Sequence, residues 1–107
     1  MPATVTRWSG DRPPEAHELL ATMRAEGLDP YRWDNDPHFV YEPHQHTYHK
    51  VLYCLRGSIR FILTGEGESI ELRAGDRLDL PPHTEHSAIV GPDSVACLEA
   101  QRLGGAV

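Results

Sequence analysis

The chain has no run of eighteen apolar residues, so it offers no candidate transmembrane helix. Its opening residues, MPATVTRWSGDRPPE, carry neither a basic leader nor an apolar h-region, which argues against a secretory signal and makes a cytoplasmic location the expectation. Cysteine is scarce. Cys54 and Cys97 stand far apart with no CxxC spacing, which excludes a zinc ribbon or a thioredoxin-like motif and favours two buried free thiols over a disulfide. Basic residues nowhere cluster, and the formal net charge is −6. The electrostatic attraction that dominates nucleic-acid affinity is therefore missing, and neither nucleic acid nor an anionic membrane surface is an expected partner. Internal repeats and low-complexity tracts are absent as well.

What remains is an ordinary globular composition, 39% hydrophobic and 24% charged over 107 residues, enough for one modest core. Residues 13–26, PPEAHELLATMRAE, set Ala16, Leu19, Leu20 and Met23 on one helical face. Asp11 is the expected N-cap, Gly27 the left-handed residue past the end, and Leu28 should fold back on Met23. This helix reads as a flap over one side of a sheet. From Tyr31 the apolar period shortens to two, in the runs YRW, HFVYE, HKVLYCLR, SIRFIL, SIELR, RLDLP, HSAIV and SVACLEA. Turn signals such as LRGS, TGEGE, RAGD and VGPDS separate them, the pattern of an all-β sandwich or barrel. The expected organisation is an N-terminal strand and helix over 1–30, a barrel over 31–102 and a tail over 103–107. TVTRW near the start is a candidate for a strand that swaps into or augments the sheet of a second copy, with an unstructured arm as the alternative.

Histidine is concentrated in YEPHQHTYHK. His44 and His46, two apart, would leave an extended strand by the same face about 7 Å apart, near enough for both rings to lean on one ion. The alternative is a solvated loop pair. A second stretch, GDRLDLPPHTEHSAIVGP, carries Gly75, Pro81 six positions on, and His86 at the head of an apolar run.

Together these stretches resemble the two motifs of the cupin superfamily, G-x5-HxH-x3/4-E-x6-G and G-x5-PxG-x2-H-x3-N. The first reads here as His44-Gln45-His46, three residues, Lys50, six residues, Gly57; the second as Gly75, five residues, Pro81-Pro82-His83, two residues, His86. Departures fall at His38 for the first glycine, Lys50 for the glutamate, His83 for the inner glycine and Val90 for the asparagine. The resemblance implies an all-β double-stranded β-helix, the cupin jelly-roll barrel, with one N-terminal α-helix. It also implies a divalent transition metal (Fe, Zn, Mn or Ni) on His44, His46 and His86. His49 is a fourth ligand only if a bulge reverses its direction. Glu42 and Glu85 are weak substitutes for the missing carboxylate.

By strand parity Lys50 points inward with the histidines, where an ammonium beside a dication is disfavoured unless its pKa falls or its stem carries the charge away. Arg56, Ile59, Phe61 and Leu63 should continue the inner row, with Tyr48 and Tyr53 outward. Leu52, Phe61, Leu78 and Leu80 read as plain core. The expected function is metal-dependent action on a small anionic organic substrate, as a dioxygenase or an isomerase, with Lys50 binding an anionic group or serving as acid or base. A non-enzymatic ligand-binding or sensing barrel and a metal-free barrel with Lys50 in the pocket are the alternatives. A homodimer is expected from the edge strands of a small open barrel.

Overall fold

A computed structural model describes residues 3–102 of the chain. In order these form β1 (Thr4–Thr6), α1 (Ala16–Ala25), β2 (Tyr31–Asn35), β3 (Val40–His44), β4 (His49–Leu63), β5 (Glu68–Arg73), β6 (Arg77–Leu80) and β7 (His86–Arg102). The expected tail at 103–107 lies outside the described residues. Two pairs of runs separated by turn signals prove continuous through a bend: HKVLYCLR joins SIRFIL as β4, and HSAIV joins SVACLEA as β7.

These two long strands pair with each other and pass through both layers of the barrel. In one layer the order is β1-β6-β4-β7-β2; in the other the far half of β4 pairs β5, and the near half of β7 pairs β3. All neighbours are antiparallel. This is the jelly-roll implied by the motifs. TVTRW supplies β1, which pairs with β6 of its own chain, Thr4 opposite Asp79 and Thr6 opposite Arg77.

The bend is built from a bulge and a glycine. Cys54 faces Cys97 and Arg56 faces Ala96, so Leu55 is the extra residue; one step on, Gly57 faces Val95 and Ile59 faces Val90. Gly57 has φ +73, and a Cβ there would lie 2.0 Å from the Ser94 carbonyl oxygen. The bulge also corrects one expectation. Parity from Lys50 predicts an inward Arg56, but the extra residue resets the alternation before it, and Arg56 is exposed while Ile59, Phe61 and Leu63 take over the inner row.

Two apolar clusters result. Between the layers lie Leu52, Cys54, Ile59, Phe61, Leu78 and Leu80, among others. On the outer face of β4 and β7, Val51, Tyr53, Leu55 and Leu98 are covered by Leu19, Met23 and Leu28, so the helix is a flap as its amphipathic pattern implies. Tyr53 faces away from the barrel interior yet is buried by this flap.

The helix starts later than expected. Glu15, rather than Asp11, is the N-cap, and its N–H donates to Glu18 Oε1 at 2.9 Å. Pro14 disfavours helical geometry at Pro13, as Pro13 does at Arg12, so the first helical turn cannot form until both prolines are passed. Arg12 closes the end with two hydrogen bonds to the Glu18 carboxylate at 2.9 and 2.8 Å. At the other end Gly27 (φ +81) donates to Arg24 O and Leu28 to Met23 O, which turns Leu28 back under the helix. Arg77 of β6 ties this end to the barrel through Glu26, at 2.6 and 2.9 Å.

Candidate metal centre

The three histidines of the motifs meet, though not by the route that strand parity suggests. His44 is the last residue of β3 and stands opposite His86, the first residue of β7. His46 lies beyond the strand end, in the loop leading to β4, where its carbonyl accepts the His83 N–H at 2.7 Å. Strand pairing therefore joins His44 to His86, and a turn contact places His46 beside them. Ring centroids are 4.4 Å apart for His44 and His86, 4.8 Å for His44 and His46, and 5.3 Å for His46 and His86. One nitrogen from each ring falls within 4.8 Å of the others.

Backbone carbonyls orient two of the rings. His44 Nδ1 lies 2.8 Å from Glu42 O, and His86 Nδ1 lies 2.8 Å from Thr84 O. A carbonyl only accepts, so the Nδ1 of each ring carries the hydrogen and Nε2 presents a bare lone pair. The Nε2 atoms of His46 and His86 are buried with no hydrogen-bond partner. Each such orphan costs about 1–3 kcal/mol. Loss of solvation, reinforced by the Lys50 charge, pushes His46 down to about 4 and lowers His86 as well, so both are neutral near pH 7. Three imidazoles with one nitrogen each within 4.8 Å of the others are a donor set suited to a borderline transition ion, and the orphaned atoms fit one.

The other candidates lie elsewhere. His49 is not brought into the group: its Nε2 stands 3.1 Å from Asp79 Oδ1. His83 is an exposed turn residue with φ +65. Glu42 and Glu85 are exposed, the latter bonded to Thr64. Tyr48, expected to face outward, packs its ring on His46 at 4.7 Å.

Lys50, the only lysine of the chain, is 8% exposed and lines the same cavity as His44 and His86. Burial lowers its pKa, opposed by the nearby Glu99 carboxylate. Glu99, 5% exposed, is the residue that motif reasoning misses. Its Oε1 accepts the Trp33 indole N–H at 2.9 Å and lies 3.7 Å from Lys50 Nζ, while Oε2 accepts the Tyr31 hydroxyl at 2.8 Å. The signal was present in SVACLEA: Glu99 is two residues past the inward Cys97 and so shares its face. The cavity is about 330 Å³, walled by Trp33, Tyr41 and Phe61 between this polar cluster and a rim at Asp34 and Asn35. Cys54 and Cys97 are buried free thiols, and burial pushes Cys54 up to about 12, which leaves it inert as a nucleophile.

The model of the cupin domain family matches residues 31–98. No curated protein matches the chain in sequence. Among solved structures, KdgF from Halomonas sp. is 33% identical over 69% of this chain and 68% of its own, with a TM-score of 0.58. The polyketide cyclase RemF from Streptomyces resistomycificus is 22% identical over 69% of this chain and 54% of its own, TM-score 0.61. QdtA, a sugar 3,4-ketoisomerase from Thermoanaerobacterium thermosaccharolyticum solved in complex with TDP, is 23% identical over 68% and 57%, TM-score 0.55. The last two share the fold.

Proposed function

The chain belongs to the cupin family, and on that footing we propose that it is a small metal-dependent cupin, holding a divalent transition ion on His44, His46 and His86 and acting on a small anionic organic substrate. The observation that carries this reading is the pair of buried, partnerless Nε2 atoms on His46 and His86, within reach of a third ring. Neutral ligands would leave the ion its full charge and open positions for water or substrate. Such an ion supplies Lewis-acid polarisation of a carbonyl, or, if iron, a site for dioxygen, so isomerisation and dioxygenation are the reactions in view.

The chain's own residues favour an anion. Lys50 stands beside a single carboxylate, and the three ligands include no carboxylate, so an anionic substrate would offset the charge of the ion. At 3.7 Å the Lys50–Glu99 contact is too long for a tight hydrogen bond, which leaves ammonium N–H donors for a substrate oxyanion. Trp33, Tyr41 and Phe61 supply apolar walls that exclude water from the reacting groups. Among the described residues β1 and β2 end the strand order, and pairing across such an edge is the route by which a homodimer would form.

Metal analysis of protein purified without a histidine tag tests the first part: about one equivalent is expected, and less than a tenth would refute it in favour of a metal-free barrel using Lys50. Dioxygen uptake on thiols and 1,3-dicarbonyls, and isomerisation of hydroxy-carbonyl acids, test the second. Turnover lost in His86→Ala supports an enzyme, whereas a metal-loaded protein that binds but turns over none of these would be a ligand-binding module.

A further inference from the structure

Lys50 raises a difficulty that the metal reading must meet. A lone ammonium in the same cavity as a dication repels it, and burial strengthens that repulsion. We propose that Glu99 is a positioning residue whose carboxylate neutralises and restrains Lys50, so that the three-histidine cluster can hold a metal ion with a lysine in the pocket. This rests on the metal-dependent reading above.

Four observations carry it. Lys50 is the only lysine of the chain, and it is buried, so its place is not one of many surface charges. Glu99 is the nearest acid to it, 3.7 Å from Nζ, and the side chains of the pair are 10% and 6% exposed. The register makes them inner-face diagonal neighbours on adjacent strands: Leu52 stands opposite Glu99, and Lys50 opposite Gln101. Finally, the Glu99 carboxylate is fixed from behind. Tyr31, directly across the β2–β7 pair, donates to Oε2, and Trp33 donates to Oε1, so the carboxylate is held in place beside Lys50. Two aromatic donors spent on one buried acid are what a fixed counter-charge requires.

The pair explains how this sequence departs from the motif without losing the site. A lysine replaces the motif's carboxylate on β4, and a carboxylate appears on β7 to meet it. The positive charge that the lysine brings to the pocket wall is thereby matched by one negative charge.

The test is Zn(II) affinity, measured by competition with a chromophoric chelator at neutral pH, for the tag-free wild type, Glu99→Gln, Lys50→Met and the double variant. An ammonium left without its counter-charge in the ion's cavity should weaken binding by about 10–100-fold, and that is expected for Glu99→Gln. In the double variant the unpaired ammonium is gone, and affinity should return to within a few-fold of the wild type. Lys50→Met alone should bind at least as tightly as the wild type. Circular dichroism of each metal-free variant identifies any that fail to fold; if Glu99→Gln does, Tyr31→Phe replaces it, with a smaller weakening again reversed by Lys50→Met. Equal losses in the single and double Glu99 variants, with the wild type binding normally, would overturn this inference alone. No Zn(II) binding by the wild type would remove the metal reading and this inference with it.

Discussion

Replacing His86 with leucine separates the cost of the histidine cluster from its use. His86 is 2% exposed, and burial of an ordinary core residue usually means that its replacement is costly. Here two effects oppose each other. Leucine removes an orphaned Nε2, a relief of about 1–3 kcal/mol, and forfeits the Nδ1 hydrogen bond to Thr84 O, a loss of about 0.5–1.5 kcal/mol. The metal-free variant should therefore melt close to the metal-free wild type or above it. Metal changes the comparison. A ligand at about 100 times its dissociation constant stabilises the folded state by about 2.7 kcal/mol. In a domain near this size each kcal/mol moves the midpoint by about 4–8 °C, so the wild type should gain about 10–20 °C. The assay is thermal unfolding followed by circular dichroism, after chelator treatment and again with excess Zn(II). His86→Leu should lose most of the gain. An equal gain in wild type and variant would refute the assignment of His86 as a ligand. A metal-free variant destabilised by more than about 3 kcal/mol would refute the account of its orphaned nitrogen.

Two further outcomes follow from the framework around the site. Hydrogen bonding from Arg77, then the charges of Arg77 and Arg102, hold the Glu26 carboxyl below the usual glutamate range despite partial burial. Its folded pKa is depressed, so its contribution is full above the unfolded value and is lost as pH falls through the folded one; Glu26→Gln should flatten the acid side of a plot of urea midpoint against pH, and an unchanged slope would contradict the linkage. Gly67→Ala, at φ +69 in open space, should cost about 1–2 kcal/mol of backbone strain, whereas Gly57→Ala also collides with the Ser94 carbonyl and should cost more than about 3 kcal/mol in urea unfolding. Equal costs would show that the bend does not depend on that close approach.

The barrel and the flap were legible because they rest on local rules: period-two apolar runs, turn residues between them, and a helical face ending at Gly27. The strand count was less so. Turn-like residues at LRGS and VGPDS sit within continuous bent strands, since a bulge and a glycine can turn a strand without ending it. The histidines were readable as a group from spacing, but the geometry that joins them is not: His44 meets His86 through long-range pairing, and His46 is in a loop. Glu99 was hidden for a related reason. Its partners Tyr31 and Lys50 are distant in the chain, so only the register of β2, β4 and β7 brings them together.

The first half of β4 serves two masters at single-residue resolution. Lys50, Leu52 and Cys54 belong to the interior, while Val51, Tyr53 and Leu55 belong to the helix. Insertion of one amino acid near residue 49 would exchange the two rosters, sliding the ammonium beneath the helix and bare hydrocarbon into the ligand chamber. Added or lost residues within this half of the strand should therefore be destructive, whereas the chamber can be altered by substitution at alternate positions with the helix contacts left standing.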